Sequence, residues 1–137
     1  MSEQIKQELH QHLTHYDETY YGSYGFVRTS RSVYRNLFME PVKQLFYWEE
    51  EDWQGSIFAL YEYSSYFVVV KGFFGSCSGC DPFEGATYEE VNERLQKIVT
   101  HAELYKDIRA VELSKYSHPD LVQEFEKFRQ EFVKNNL

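Results

Sequence analysis

Apolar residues recur at two different spacings along this chain, and the two spacings predict helices near both ends and strands in the middle. At the N-terminus, four apolar residues at helical spacing predict an amphipathic helix over residues 3–16: Ile5, Leu9, Leu13 and Tyr16. Residues 17–36 contain two glycines and follow no clear period. An irregular loop, with room for a short strand, is expected there.

Three apolar runs in the middle of the chain predict consecutive strands over residues 42–49, 56–63 and 66–74. Only Ser64 and Ser65 separate the last two runs, so these runs are expected to form an antiparallel hairpin. The third run contains Val68-Val69-Val70 and does not alternate with polar residues. This predicts a central strand that is covered on both faces.

The second half of the chain predicts two further helices with a strand between them. Thr87 is the expected N-cap of the first, and Glu90 completes a capping box. Residues 108–113 are predicted as a short strand. Ser117 is expected to cap the last helix, with Pro119 in its first turn. The apolar stripes of the two helices are Tyr88, Val91, Leu95, Ile98, Ala102 and Tyr105, and Leu121, Phe125, Phe128 and Phe132.

The predicted order is therefore α-β-β-β-α-β-α, which indicates an α+β fold with a mostly antiparallel sheet and helices packed against it. The chain has 137 residues and contains no repeat or flexible linker, so residues 1–137 are predicted to form one domain.

Composition and charge narrow the classes of function. The chain has 12 Tyr, 11 Phe and 2 Trp, which is more than a small core needs. Some rings are therefore expected at the surface, either on a half-exposed sheet or on a binding surface. The net charge of −8 disfavours nucleic acid as a partner, apart from a local Arg and aromatic patch or DNA mimicry. The same charge suits a basic partner, although solubility explains it equally well.

The chain's location is predicted to be cytoplasmic. The N-terminal residues are polar, which is not typical of a secretory signal, and no run approaches the about 18 apolar residues of a membrane span. With only two cysteines and no such signal, a reducing compartment is expected.

Those two cysteines, Cys77 and Cys80, lie in GSCSGCD and form the first candidate site. Two thiolates at this spacing can bind one zinc ion, which needs two more ligands. His12 and His15 are candidates for them, as is the same pair from a second subunit, so a homodimer stays open. A thiol-redox pair and a simple reduced turn are the alternatives. The redox reading is weakened because no helix begins next to Cys80. The sequence thus predicts no cofactor, or zinc.

Two further stretches are candidate binding surfaces. The first is the only place where aromatic and basic residues gather, and its candidate binding residues are Tyr20, Tyr21, Tyr24, Arg28, Arg31 and Arg35. Such a set suits an anionic ligand or an acidic protein patch. The alternative is that its rings pack on the sheet while its arginines pair with protein carboxylates. The second is WEEEDWQG, where Trp48 and Trp53 flank four carboxylates. Each tryptophan could anchor an interface or close the end of the core.

No catalytic motif accompanies these stretches. The element order is similar to the core of PD-(D/E)xK nucleases, which place an acid two residues before a lysine on the third strand. Here the triplet is Val69-Val70-Lys71, so an active nuclease of that type is not expected. The leading hypothesis is a small non-catalytic binding or regulatory protein, such as a bacterial or viral inhibitor or accessory factor, that recognises another protein through aromatic residues. The alternative is a metal-binding or thiol-redox module centred on Cys77 and Cys80.

Overall fold

The computed structural model describes residues 2–16, 29–76 and 80–137 of the chain. It confirms the α+β class and the predicted order of elements, and it adds one short helix before the first strand. The elements are α1 (Ser2–Gln11), α2 (Ser30–Arg35), β1 (Lys43–Glu49), β2 (Gly55–Tyr63), β3 (Tyr66–Phe74), α3 (Tyr88–Thr100), β4 (Glu103–Tyr105), a 3-10 helix (Ile108–Ala110) and α4 (Pro119–Asn136).

The four strands form one antiparallel sheet in the order β1-β2-β3-β4. The predicted hairpin between β2 and β3 is confirmed, with Tyr63 opposite Tyr66 next to the turn and Gly55 opposite Phe74 at the far end. Ser64 and Ser65 form the turn with φ values of 50° and 67°. Two consecutive left-handed residues give the turn a twist that matches the strands, which explains why so short a connection works.

The sheet is covered on both faces, as the valine run predicts. Val68 and Val70 lie in one buried cluster with residues of α1, α2 and α3, while Val69 lies in a second cluster with residues of α4. Because successive side chains of a strand point to opposite faces, an unbroken apolar run places a buried side chain on each side. The sheet is therefore the middle layer between two layers of helix.

The first residues of α3 and α4 are fixed by capping side chains, as the local sequence predicts for α3. Thr87 caps α3 and forms the predicted capping box with Glu90. The N-cap of α4 is His118 rather than the predicted Ser117, and its Nδ1 accepts a hydrogen bond from the amide of Asp120 at 3.0 Å. Pro119 does stand in the first turn, where its missing N–H costs nothing.

Three other expectations need correction. Helix α1 ends at Gln11 rather than at residue 16, because Leu13 leaves the helix and bridges to Phe38. Part of the segment predicted as an irregular loop is α2, which Thr29 caps. The predicted strand at 108–113 is wrong.

The fourth strand lies earlier, at Glu103–Tyr105, where it pairs with Phe67–Val69 of β3. In the segment predicted as a strand, the two buried residues are Ile108 and Val111. They are three apart, which fits a 3-10 turn and not the two-residue alternation of a strand. Within the described residues no helix is both long and apolar enough to cross a lipid bilayer.

Candidate functional site

The connection between β1 and β2 is an exposed turn of five residues, Glu50-Glu51-Asp52-Trp53-Gln54, here called the acidic turn. Its base is closed by two hydrogen bonds. The amide of Glu50 donates to the carbonyl of Ser56 at 3.1 Å, and the amide of Ser56 donates to Glu50 Oε1 at 3.1 Å. Gly55 fits beside Glu50 because a Cβ at this position would lie 2.7 Å from the Cβ of Glu50.

Arg31 of α2 fixes the rest of this turn from outside. Its guanidinium lies over the ring of Phe74, 3.8 Å from the centroid. Its Nη2 donates to the carbonyls of Glu50 at 3.2 Å and Asp52 at 2.7 Å. A planar guanidinium can stack on a ring face and donate hydrogen bonds from its edge at the same time. Arg31, predicted as a binding residue, therefore serves first to hold the acidic turn in one conformation.

Arg35, the other described arginine of the predicted basic segment, contacts Glu49. Its Nη2 bonds to Glu49 Oε1, while the hydroxyl of Tyr47 donates to Glu49 Oε2 at 2.7 Å. The hydrogen bond to Glu49 raises the pKa of Arg35, and burial followed by the same carboxylate raises the pKa of Tyr47. At neutral pH Arg35 is thus a cation and Tyr47 a donor. Arg35 thus pairs with a carboxylate, as the alternative expectation proposed, whereas Arg31 donates to backbone carbonyls and its Nε lies 3.7 Å from Glu49 Oε1. Tyr20, Tyr21, Tyr24 and Arg28 lie outside the described residues.

The two tryptophans have opposite environments. Trp48 on β1 is buried, its indole N–H donates to Glu124 Oε2 at 2.8 Å, and its ring lies 5.4 Å from that of His118 between centroids. It closes the core between the sheet and α4. Trp53 at the tip of the acidic turn is 81% exposed. Of the two, only Trp53 is available as an anchor for another molecule.

Two clefts flank the acidic turn. The cleft on the α2 side has a volume of about 580 Å³ and is lined by Thr29, Arg31, Ser32, Arg35, Glu51, Asp52, Trp53, Phe74, Gly75, Ser76, Asp81 and Glu84. The cleft on the α4 side has a volume of about 570 Å³ and is lined by Arg35, Tyr47, Trp48, Glu49, Glu50, Glu51, Asp52, His118, Asp120 and Glu124. The turn therefore separates two concave surfaces, and Trp53 lines the one on the α2 side.

The cysteine segment lies beside the first of these clefts, and a buried carboxylate anchors it. Asp81 is 4% exposed. It accepts hydrogen bonds from the amide of Ser30 at 3.1 Å, the hydroxyl of Ser30 at 2.9 Å, the amide of Gly75 at 3.2 Å and the amide of Phe83 at 2.9 Å. Charged hydrogen bonds of this kind are among the stronger ones in proteins. Asp81 thereby joins the start of α2, the end of β3 and the residues after the cysteines.

The ends of the cysteine loop touch each other. A Cβ on Gly75 would lie 2.4 Å from the backbone carbon and oxygen of Cys80, so only glycine allows this approach. Cys80 is partly exposed, and its Sγ lies 3.6 Å from the hydroxyl oxygen of Ser76. Cys77 lies outside the described residues. The glycine before the first cysteine is thus needed to close the loop whether or not the thiols carry a function.

The predicted histidine ligands are not brought to Cys80. The ring of His12 packs on that of Tyr63, 5.3 Å between centroids, at the hairpin end of the sheet. Cys80 lies next to Gly75, beyond the other end of β3, and a nine-residue strand spans about 30 Å. His15 is exposed and, like His12, follows the end of α1, so the two do not share a helix face. Among the described residues, no group of three or more His, Cys, Asp or Glu side chains is placed to hold a metal ion.

The sequence pattern did not predict the role of Asp81 or the stacking of Arg31 on Phe74. A signal for the first was present, because Asp-Pro after a glycine-rich run is typical of a turn in which the carboxylate accepts backbone amides. No local signal marked the second, since the contact joins residues that are far apart in the chain.

The comparisons with known proteins add no assignment to this geometry. No protein-family model matches the chain, and neither a curated protein nor a solved structure matches it.

Proposed function

We propose that this protein is a non-catalytic binding protein that recognises another protein through Trp53 and the acidic turn. The observation that carries the proposal is the exposure of Trp53, 81%, on a turn that Arg31 holds in one conformation. Leaving a large aromatic ring in water is unfavourable, and tryptophan is among the residues most enriched at the energetic centres of interfaces.

The fixed conformation of the turn supports the same proposal. When a partner binds a mobile loop, the side chains and backbone of the loop must become ordered. The entropy lost in this ordering reduces the affinity. Here two hydrogen bonds from Arg31 and two at the base of the turn already order it. The α2-side cleft, which Trp53 lines, gives a partner a concave surface next to the ring.

Tyr116 provides the comparison that the proposal needs. It is 85% exposed, slightly more than Trp53, and lies in the segment before α4. However, it lines none of the clefts described above. The proposed site therefore consists of an exposed ring beside a cleft and not of an exposed ring alone. Tyr116 serves as a matched control for partner binding that any exposed aromatic ring would give.

The experiment is affinity capture of partners from the organism that encodes the chain, using the wild type, Trp53→Ala and Tyr116→Ala. We expect one or more proteins to be captured by the wild type and by Tyr116→Ala and to be lost with Trp53→Ala. Thermal unfolding of all three proteins checks that the substitutions leave the fold intact. Capture that survives Trp53→Ala, or fails equally with both variants, would contradict the proposal.

A further inference from the structure

We infer that the surface that meets Trp53 is a basic protein segment, with an arginine or lysine that lies against the indole and pairs with the carboxylates of the acidic turn. This inference rests on the proposed function and specifies the chemistry of the partner. Its basis is the charge that surrounds an exposed aromatic ring.

The carboxylates next to Trp53 on the turn, Glu51 and Asp52, form no ion pair with any residue that the structure describes. In the part of the chain that the structure describes, no cation contacts Glu51, and the carboxylate of Asp52 accepts one hydrogen bond, from the amide of Trp53 at 2.7 Å. Asp120 and Glu124 line the α4-side cleft together with Glu51 and Asp52, whereas Trp53 lines the α2-side cleft. Glu124 accepts a hydrogen bond from the indole N–H of Trp48, and Oδ2 of Asp120 lies 3.8 Å from Nδ1 of His118. The cleft therefore carries a surplus of negative charge.

The two nearby arginines do not offset this surplus. Arg35 is paired with Glu49, and the Nη2 of Arg31 is directed at the carbonyls of the turn. An outside phosphate or carboxylate that took either Nη2 group would have to break these contacts. An anionic ligand would also meet Glu51 and Asp52 at once, which costs free energy through repulsion between like charges.

A cationic side chain satisfies both features of the surface. An arginine or lysine placed over an indole face is attracted by the ring, and the attraction grows when water is excluded. The same cation can form hydrogen bonds to a neighbouring carboxylate, and such charge-assisted bonds are shorter and stronger than neutral ones. Because the net charge of the chain is −8, a basic partner is also attracted from a distance.

The test uses a fluorescein-labelled peptide of alternating Arg and Gly, and a matched peptide of alternating Glu and Gly, at physiological ionic strength. Binding is followed by fluorescence anisotropy. We expect the Arg peptide to bind the wild type and the Glu peptide not to bind. Trp53→Ala should weaken binding by about 30-fold, and Glu51→Gln/Asp52→Asn by about three- to tenfold.

The control for net charge is Glu89→Gln/Glu93→Gln, which removes two exposed carboxylates from α3 that line neither of the two clefts. This variant should bind the Arg peptide like the wild type. Equal weakening by both double variants would mean that the peptide senses only the total charge, and it would overturn the inference. Absence of binding by the Arg peptide, or binding of the Glu peptide instead, would overturn it too.

The two proposals fail in different ways. If partner capture depends on Trp53 but the Arg peptide is not bound, the proposed function stands and the basic partner is wrong. If capture does not depend on Trp53, the proposed function itself is wrong, whatever the peptides do.

Discussion

At one end of the sheet Ser64 and Ser65 join β2 to β3, and at the other end the acidic turn joins β1 to β2. We call these the hairpin end and the cleft end. The hairpin turn is made by the backbone of two consecutive residues with φ values of 50° and 67°. The acidic turn is held by Arg31, which comes 19 residues before Glu50 in the chain. One turn is thus a local structure, and the other depends on tertiary contacts.

The contrast extends to what surrounds each turn. At the hairpin end the hydroxyl of Tyr63 donates to Glu8 at 2.7 Å and its ring packs on His12, so α1 covers the side chains there. At the cleft end Trp53 is exposed beside the α2-side cleft. We expect substitutions at the cleft end to have larger and more distant effects than those at the hairpin end.

The strongest way to break the cleft end is to remove the carboxylate of Asp81. Asp81→Ala leaves the buried amide and hydroxyl of Ser30 and the amide of Gly75 without their acceptor. Unsatisfied buried donors are costly, so we expect the free energy of unfolding to fall by about 3 kcal/mol. Urea denaturation measures it. Asp81→Asn keeps an acceptor oxygen and should lose less, and equal losses would show that the hydrogen bonds are not the cause.

Gly75→Ala tests the closure of the cysteine loop. The added methyl group would meet the backbone of Cys80, which no side-chain rotation can relieve. We expect a loss of about 2 kcal/mol in the free energy of unfolding. Ser76→Ala, at the exposed neighbour, should change it by less than about 0.5 kcal/mol. A Gly75→Ala protein as stable as the wild type would mean that the loop can open without cost.

Arg31→Ala tests whether the acidic turn depends on this one side chain. The variant loses the stacking on Phe74 and both hydrogen bonds to the turn, and we expect it to be less stable by about 1.5 kcal/mol. Cleavage after Glu50 and Glu51 by a glutamyl endopeptidase should become faster. Arg35→Ala, which removes an exposed pair with Glu49, should cost about 0.5 kcal/mol and leave cleavage unchanged. Identical cleavage of the two variants would argue against the special role of Arg31.

The smallest effect is expected at the hairpin end, and it is a gain. Ser64→Asn/Ser65→Gly places the residues best suited to two consecutive left-handed positions in a turn that already has that geometry. Stability should rise by about 0.5 kcal/mol, measured by thermal unfolding. Ser65→Ala should lower stability instead, because its φ of 67° disfavours a side chain without a hydrogen-bonding group. A loss with both variants would mean that the serine hydroxyls matter more than the backbone.

The same division explains how much of the fold the sequence could predict. The three central strands, the hairpin and the start of α3 follow from local patterns, and all are confirmed. The short helix α2 was missed because its buried residues, Ser30, Val33 and Tyr34, fill barely two turns and show no extended period. The fourth strand was predicted in the wrong place, at residues 108–113. The buried residues of that segment, Ile108 and Val111, are three apart, and this spacing is not that of a strand.

For the candidate site the sequence could supply the residues but not their environments. Trp48 and Trp53 are equivalent in the sequence pattern, and only the packing of α4 on β1 buries one and not the other. Likewise, the sequence allows His12 and Cys80 to be ligands of one metal ion, but the fold places them at opposite ends of the sheet. The exposure and the neighbours of these residues are set by contacts between residues far apart in the chain.

The unequal burial of the two tryptophans gives the protein two intrinsic fluorophores with separate roles. Trp48 is buried in the core beside His118 and bonds to Glu124 of α4. Its fluorescence emission therefore reports whether α4 is packed against the sheet. The emission of Trp53, in contact with water, reports whether the acidic turn is covered. Trp48→Phe and Trp53→Phe variants assign each part of the spectrum. One optical titration can then distinguish unfolding from ligand binding without any attached label.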